Sequence, residues 1–385
     1  MLPQAPSRTV RVALVHDYLN QYGGAERVLE ALHDIYPDAP VYTSLYDRAT
    51  MPAHFGAWDI RTSFLQRVPL SRRFHRAMLM LYPLVFESFD LTKYDVVISN
   101  SSAWAKAVIT PPDTLHVCYC LAPMRFAWTY QDYVERERLG GLARRALPSV
   151  MHYLRIWDTV TADRVDRFIG ISRAVVARIQ KYYRREADLI APPVDVENAP
   201  FSVEAGDNFL VVSRLVPYKR VDLAVDACTR HGLPLEIVGD GRDRSRLESA
   251  AGPTVRFRGH LSDDEVRLAL SHCRAFLFPG EEDFGIAPIE AMAAGRAVIA
   301  YAGGGALDTM VDGVTGRFFS PQTPEALAEQ LLQFRATAYS PSAIREHAME
   351  FDTRSFQRKV EQYVDAARQD HVDRGVATAH GPVRP

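Results

Sequence analysis

Cysteine is scarce in this chain: four among 385 residues, Cys118, Cys120, Cys228 and Cys273. They are too few and too irregularly spaced for a disulfide framework or a zinc site. They read as small buried residues of a reducing compartment, Cys118 and Cys120 on opposite faces of one strand. Long apolar runs are also missing. The longest, Ala77–Phe86, is too short to span a bilayer, and the first residues lack the apolar core of a signal peptide. No sign of charge dominates: 45 Lys and Arg face 47 Asp and Glu, a net −2, which argues against wholesale nucleic-acid binding. No His or Cys cluster has metal-ligand spacing. No Gly-x-Gly-x-x-Gly follows a strand, which disfavours a nicotinamide dinucleotide site. The expectation is a cytoplasmic enzyme without metal or cofactor.

What is present is alternation. Val10–His16, Asp95–Ser99, Leu115–Cys120 and Arg167–Ile171 read as strands of one set; Phe209–Ser213, Leu235–Gly239, Val255–Gly259, Ala275–Phe278 and Ala297–Ala300 read as a second. Helical patterns such as Ala25–Tyr36, Ser172–Tyr183, Val221–His231 and Pro324–Phe334 separate them. Such alternation implies parallel sheets covered on both faces. The expected layout is a first doubly wound domain over 1–190, a proline-rich linker over 191–207, and a second such domain over 208–352. A C-terminal helix over 353–370 and a disordered tail over 371–385 complete it. The charge divides unevenly, with 24 basic against 19 acidic residues in 1–190 and 21 against 28 in the rest, so the first half is the one to meet an anionic surface.

The chemistry concentrates where strands would end. Pro279-Gly-Glu-Glu-Asp-Phe-Gly-Ile-Ala-Pro-Ile-Glu290 places Glu282 and Glu290 eight residues apart around a helix start. Carboxylates accept hydrogen bonds from sugar hydroxyls, and a helix N-terminus holds phosphate. Arg214 and Lys219, five residues apart after a strand, can converge on a diphosphate. Gly23-Gly24, Gly239-Asp-Gly241 and Gly303-Gly-Gly305 permit close approach of backbone to ligand, or are simple turns. Ser262-Asp-Asp-Glu265 reads as a capping box rather than a metal site. Arg61–Arg76 carries five arginines and no acid among apolar residues, with Arg144, Arg145 and Arg155 as further contributors. That stretch is either a solvated helix face or a dock for anionic lipid.

Taken together, these motifs resemble the family-4 retaining glycosyltransferases of GT-B fold, an α/β architecture of two doubly wound Rossmann-like domains facing across a cleft. The carriers are His16-Asp-Tyr-Leu with Gly23-Gly-Ala-Glu26, Arg214 with Lys219, Glu282-Asp-Phe-Gly-Ile with Glu290-Ala-Met-Ala-Ala-Gly295, Gly303-Gly-Gly305 and Asp312-Gly-Val-Thr-Gly316. The resemblance implies catalytic roles for Arg214, Lys219 and Glu282. It implies substrate binding by Gly23, Gly24, Arg125, Gly239, Gly241, Asp283, Phe284, Gly285, Ile286, Glu290 and Gly304. Ser99-Asn-Ser-Ser-Ala-Trp-Ala-Lys106 and Ala122-Pro-Met-Arg-Phe-Ala-Trp128 look like the bacterial mannosyltransferase-like branch that builds O-antigen and exopolysaccharide. That implies GDP-mannose as donor and a lipid-linked or polysaccharide acceptor; the basic stretch Arg61–Arg76, read as a lipid dock, would place the chain peripherally on the inner membrane surface. Leu121 departs from the branch, which has histidine there, and Asp308 stands where the family often has Glu. Leucine can neither donate nor accept a hydrogen bond, so the alternative is a catalytically weak nucleotide-sugar-binding partner in a glycan assembly complex.

Overall fold

A computed structural model describes residues 10–68, 75–129 and 141–379; the side chains of 75–77, 141–146 and 375–379 also lie outside the description. The chain forms two compact units. One comprises the described residues of Met1–Ile190 and Gln357–Pro385, the other Ala191–Phe356.

The first unit is built on a seven-stranded sheet of β1 Val12–His16, β2 Val41–Thr43, β3 Ile60–Thr62, β4 Val96–Ser101, β5 Leu115–Cys120, β6 Arg167–Gly170 and β7 Asp188–Leu189. Their order is β3-β2-β1-β4-β5-β6-β7, every neighbouring pair parallel. All six residues of β4 and all six of β5 are buried, as expected for central strands covered on both faces. Cys118 and Cys120 lie together on one face, not on opposite ones: residues two apart on a strand point the same way. A hydrogen bond with Cys118, with burial, pushes the Cys120 thiol well up.

The second unit holds a six-stranded sheet of β8 Phe209–Val212, β9 Leu235–Val238, β10 Val255–Gly259, β11 Ala275–Phe278, β12 Val298–Tyr301 and β13 Gly316–Phe319. The order is β10-β9-β8-β11-β12-β13, again all parallel. In each sheet the order reverses beside the first strand, between β1 and β4 and between β8 and β11. Loops leaving the two strands at such a point splay apart, and their carboxyl ends frame a crevice.

Local sequence explains the helices. Ser172 accepts from Val175 N at 3.2 Å to open Arg173–Tyr183, which ends on Arg184 in the left-handed region. Thr323 caps Pro324–Gln333 with proline at its first position. Ser262 and Glu265 form the capping box read from the sequence.

The C-terminal helix differs from expectation. It runs Thr353–Ala379, nine residues past Asp370, so 371–379 are helical and not a tail. Residues from Gln357 onward join the first unit. Tyr363 Oη donates to Asp188 at 2.8 Å, and Arg167 pairs with Asp370. In the segment expected as a tail, Arg374 pairs with Asp370 at 2.8 Å and Gln369 Nε2 donates to Asp373 Oδ1 at 2.9 Å, bonds internal to the helix. Among the described residues no helix is long and apolar enough to cross a membrane.

Candidate functional site

In the second unit, four loops at the carboxyl edge are laced together. After β8 the chain turns through Pro217–Lys219, and after β11 it crosses Pro279–Gly285. These are the two strands at the switch point, and here Lys219 Nζ forms an ion pair with Glu282. Both side chains are mostly buried, 16% and 22% exposed. Their approach depends on glycine. A Cβ on Gly280 would sit 2.8 Å from the Lys219 carbonyl oxygen, so only glycine lets the two loops touch. Gly305 N donates to Glu282 O at 2.8 Å, which fixes the acidic loop from the β12 side. On the other side Leu215 N donates to Asp240 O at 2.9 Å, and Asp243 N to Leu215 O at 3.0 Å. This brings Gly239-Asp-Gly241 against the Arg214–Lys219 loop.

Gly285 then caps the helix Ile286–Ala293 with φ +91°. The first amide groups of any helix lack an intrahelical acceptor, so those of Ile286 and Ala287 present a positive edge. Pro288, third in the helix, removes one such donor without cost. Phe284 is buried against Phe351, ring centroids 6.0 Å apart. Glu290, one turn inside the helix, and Asp283 are half-buried, and Arg214 is exposed. Gly304 adopts φ +58° against Glu282 and Glu281. A cation, a carboxylate, an exposed guanidinium and a helix start thus share one sheet edge.

In the first unit the corresponding edge is built on buried polar groups. Gly23 and Gly24 open the helix Gly24–Ile35 after β1. Its third residue, Glu26, lies 3.4 Å from His16 Nε2, and both are 2% exposed. Asn100, at the end of β4, approaches His16 Nδ1 at 3.3 Å and donates to Ala25 O at 2.8 Å. Asp17 is buried and accepts five hydrogen bonds: from Ser102 N and Oγ at 2.8 and 2.7 Å, Ala103 N at 3.0 Å, Trp104 N at 2.9 Å and Ala105 N at 2.7 Å. Lys106 Nζ lies 3.0 Å from Asp158 Oδ1 and donates to Asp158 O and Thr161 Oγ1 at 2.8 and 2.9 Å. Asp158 Oδ2 accepts from Trp128 Nε1 at 2.8 Å and Tyr183 Oη at 2.9 Å. This buried carboxylate anchors the short helix Arg125–Trp128, at whose exposed start Arg125 stands. Leu121 donates its backbone N–H to Ser101 O at 2.8 Å.

The sequence-derived residues therefore fall into two groups. Arg214, Lys219, Glu282, Asp283, Phe284, Gly285, Ile286, Glu290, Gly239, Gly241 and Gly304 share the carboxyl edge of the second sheet. Gly23, Gly24 and Arg125 share that of the first. Roles for Asp17, Asn100 and Asp158 were not foreseen; their partners are distant in sequence, so no local signal marks them. Of the basic stretch, Arg61 is committed within the fold, donating to Asp59 at 2.7 Å, Tyr42 Oη at 2.8 Å and Tyr94 Oη at 3.0 Å. Arg72 and Arg73, and the side chains of Arg76, Arg144 and Arg145, lie outside the described residues. Arg155 donates to Ala127 O at 2.9 Å.

Residues 197–350 match the profile of the family described as Glycosyl transferases group 1. The chain spans about half the length of its first curated relatives. These are an uncharacterised glycosyltransferase of Methanocaldococcus jannaschii, 27% identical over 48% of this chain and 54% of that protein, and a GDP-mannose-dependent alpha-mannosyltransferase of Mycobacterium tuberculosis, 37% identical over 48% and 51%. It spans far more of an O-antigen chain mannosyltransferase C of Escherichia coli: 32% identity over 82% of this chain and 85% of that one. Among solved structures, the Anabaena protein HepE in complex with UDP superposes with a TM-score of 0.70, 17% identity, and coverage of 93% and 100%. A sucrose-phosphate synthase of Thermosynechococcus elongatus gives 0.70, 18%, 93% and 99%.

Proposed function

This chain belongs to the group 1 glycosyltransferases of GT-B fold, and from that premise we propose that it transfers mannose from GDP-mannose, with retention, to a lipid-linked glycan acceptor. The observation that carries the reading is the pairing of Lys219 with Glu282 at the switch point of the second sheet, beside the helix start at Gly285.

The chemical difficulty is departure of a nucleoside diphosphate from an anomeric carbon. Arg214, Lys219 and the amides of Ile286 and Ala287 supply positive charge at one edge, where it can meet the charge growing on the leaving oxygen. Without ligand, Lys219 and Glu282 neutralise each other. A diphosphate that engages Lys219 frees the Glu282 carboxylate to accept a sugar hydroxyl, so donor binding itself readies the sugar contact. The bond from the anomeric carbon to the diphosphate oxygen breaks. A bond to the acceptor oxygen forms on the same face, and the acceptor proton passes to the departing phosphate. The choice of mannose and guanine is supported by the relatives named for mannosyl transfer; HepE is described with UDP.

Thermal unfolding in the presence of GDP, UDP, GDP-mannose and UDP-glucose tests the donor. Ligand at about a hundred times its Kd adds about 2.7 kcal/mol of apparent stability. A response to uridine compounds alone overturns the guanine assignment, and no response to any of them removes the donor site. Transfer is then followed with membrane lipid extract. Binding without transfer would favour the inactive-partner reading that Leu121 motivates.

A further inference from the structure

Arg220 holds a backbone conformation that residues with a side chain seldom adopt. Its φ is +51° and its ψ +35°, in the left-handed region. Among the described residues, Arg184 is the other non-glycine residue with positive φ, and it ends a helix, where such a turn is common. Arg220 instead precedes one, Val221–His231. The residue at that place is normally extended, with a short polar side chain that caps the first turn; Arg220 makes no capping bond. Strain of this kind persists where the surroundings hold it, and it gathers at functional sites. The residue before it is Lys219.

The groups that hold it form a chain. Arg220 N donates to Pro217 O at 3.0 Å, closing the turn that ends on Lys219. Leu223 N donates to Arg220 O at 3.1 Å as the next helix opens. Asp222 accepts from the guanidinium Nε at 3.2 Å and from Nη2 at 3.3 Å. Nη1 of the same fork donates to Gln322 Oε1 at 3.3 Å. Gln322 Nε2 donates in turn to Pro279 O at 2.9 Å. Chemistry fixes the orientation of this amide, because a guanidinium can only donate and a carbonyl only accept. A side-chain relay therefore runs from the neighbour of Lys219 to the residue that begins the acidic loop.

The Lys219 loop and the acidic loop thus meet in three ways. Their backbones touch at Gly280, where a Cβ would lie 2.9 Å from Lys219 Cα. Lys219 pairs with Glu282. Arg220 reaches Pro279 through Gln322. The first is a van der Waals contact, weak for each atom pair. The second is the pair that an incoming diphosphate would part. The third uses no group that the diphosphate would take.

We propose that Arg220 and Gln322 are positioning residues for transfer: their relay keeps the Lys219 loop against the acidic loop once donor binding has opened the Lys219–Glu282 pair. The part played in transfer rests on the donor proposed above; the tie itself does not. A reacting geometry displaced by about 1 Å can lose a large share of its rate. Lys219 therefore needs a support that the ligand leaves alone, and the relay supplies it from behind the cation.

Lys219→Ala removes the ion pair without any ligand and so isolates the relay. Gly305 N donates to Glu282 O at 2.8 Å, so hydrogen exchange of that amide reports whether the acidic loop stays in place. It should remain protected in Lys219→Ala and in Gln322→Met, each of which keeps one tie. In Lys219→Ala/Gln322→Met, which keeps neither, it should exchange about tenfold faster. Equal protection in all three overturns the tie. Turnover is the second readout. At saturating GDP-mannose, Gln322→Met should lower kcat about tenfold with KM near wild type, and should lower it no further in the Lys219→Ala chain. Arg220→Gly should match Gln322→Met; glycine takes the left-handed turn without strain, so this variant guards against simple misfolding. Losses that multiply in the double variant would overturn the positioning role, because the relay would then act independently of Lys219. A wild-type chain that transfers no mannose fails the donor assignment, and the exchange comparison still decides the tie.

Discussion

Replacing Asp17 by asparagine keeps shape and volume but removes one acceptor atom and the charge. The carboxylate divides five bonds between two oxygens: Trp104 N and Ala105 N on Oδ1, Ser102 N, Ser102 Oγ and Ala103 N on Oδ2. Asparagine can serve only one set. With its oxygen toward the Ser102 side, its amide NH2 faces the Trp104 and Ala105 amides, donor against donor. Asp17 is 2% exposed, and Trp104 and Ala105 are buried, so water cannot readily replace the lost acceptor. Each orphaned buried N–H costs about 1–3 kcal/mol, and the surviving bonds weaken from charged to neutral. A loss of about 4 kcal/mol results, a large fraction of the 5–15 kcal/mol that typically holds a domain. Urea unfolding followed by tryptophan fluorescence reads this directly, because Trp104 and Trp157 flank the affected turn. With a slope of about 2–3 kcal/mol/M the midpoint falls by roughly 1.5 M. A loss below about 1 kcal/mol would refute the argument, since it would mean that the five bonds are not all made.

Further outcomes follow from other sites. Lys219→Ala should lower turnover about a hundredfold in a donor-saturated transfer assay; near-normal turnover would take Lys219 out of the phosphate site. Glu282→Ala should alter the ratio of donor hydrolysis to transfer, and an unchanged ratio with unchanged rates would exclude it. Gly285→Ala forces a side chain into φ +91° with its Cβ 2.9 Å from Phe278 Cζ. It should cost about 1–3 kcal/mol and weaken nucleotide binding in titration calorimetry; unaltered binding would show that this loop does not touch the ligand. Burial lowers the His116 pKa to about 4, so the unfolded chain takes up a proton as pH falls below about 6.5 while the folded one does not. Stability should therefore drop between pH 6.5 and 4, by about 3 kcal/mol from this residue. His116→Gln should flatten that share of the pH profile, and an identical profile would discount it.

Much of the fold could be read from residue pattern because the central strands of both parallel sheets are buried on both faces. Leu115–Cys120 and Ala275–Phe278 stand out as unbroken β-rich runs, and Val255–Gly259 as an alternating one, each with the observed ends. Val41–Thr43, Ile60–Thr62 and Asp188–Leu189 escaped notice, since two or three residues carry no period. Gly316–Phe319 escaped because it begins on a glycine more suggestive of a turn. The donor-side residues were visible because their chemistry is local: loops after parallel strands concentrate glycine, cation and acid within a few positions. That Lys219 meets Glu282 was not visible, because only the strand order places β8 beside β11. The same holds for Asp158, whose partners Lys106 and Trp128 are distant in sequence and meet it only in the packed core.

The C-terminal helix ties synthesis order to assembly. Residues 191–356 are contiguous, so the second unit can close on itself as soon as it leaves the ribosome. The first unit cannot. Its edge strand Asp188–Leu189 waits for Tyr363, and Arg167 waits for Asp370. Those partners emerge only after the whole second unit has been made. The earlier-translated unit is therefore the later one to be completed, and a released chain truncated after residue 356 would hold a finished second unit behind an unfinished first. Limited proteolysis of such truncated chains would show protection beginning in the middle of the sequence.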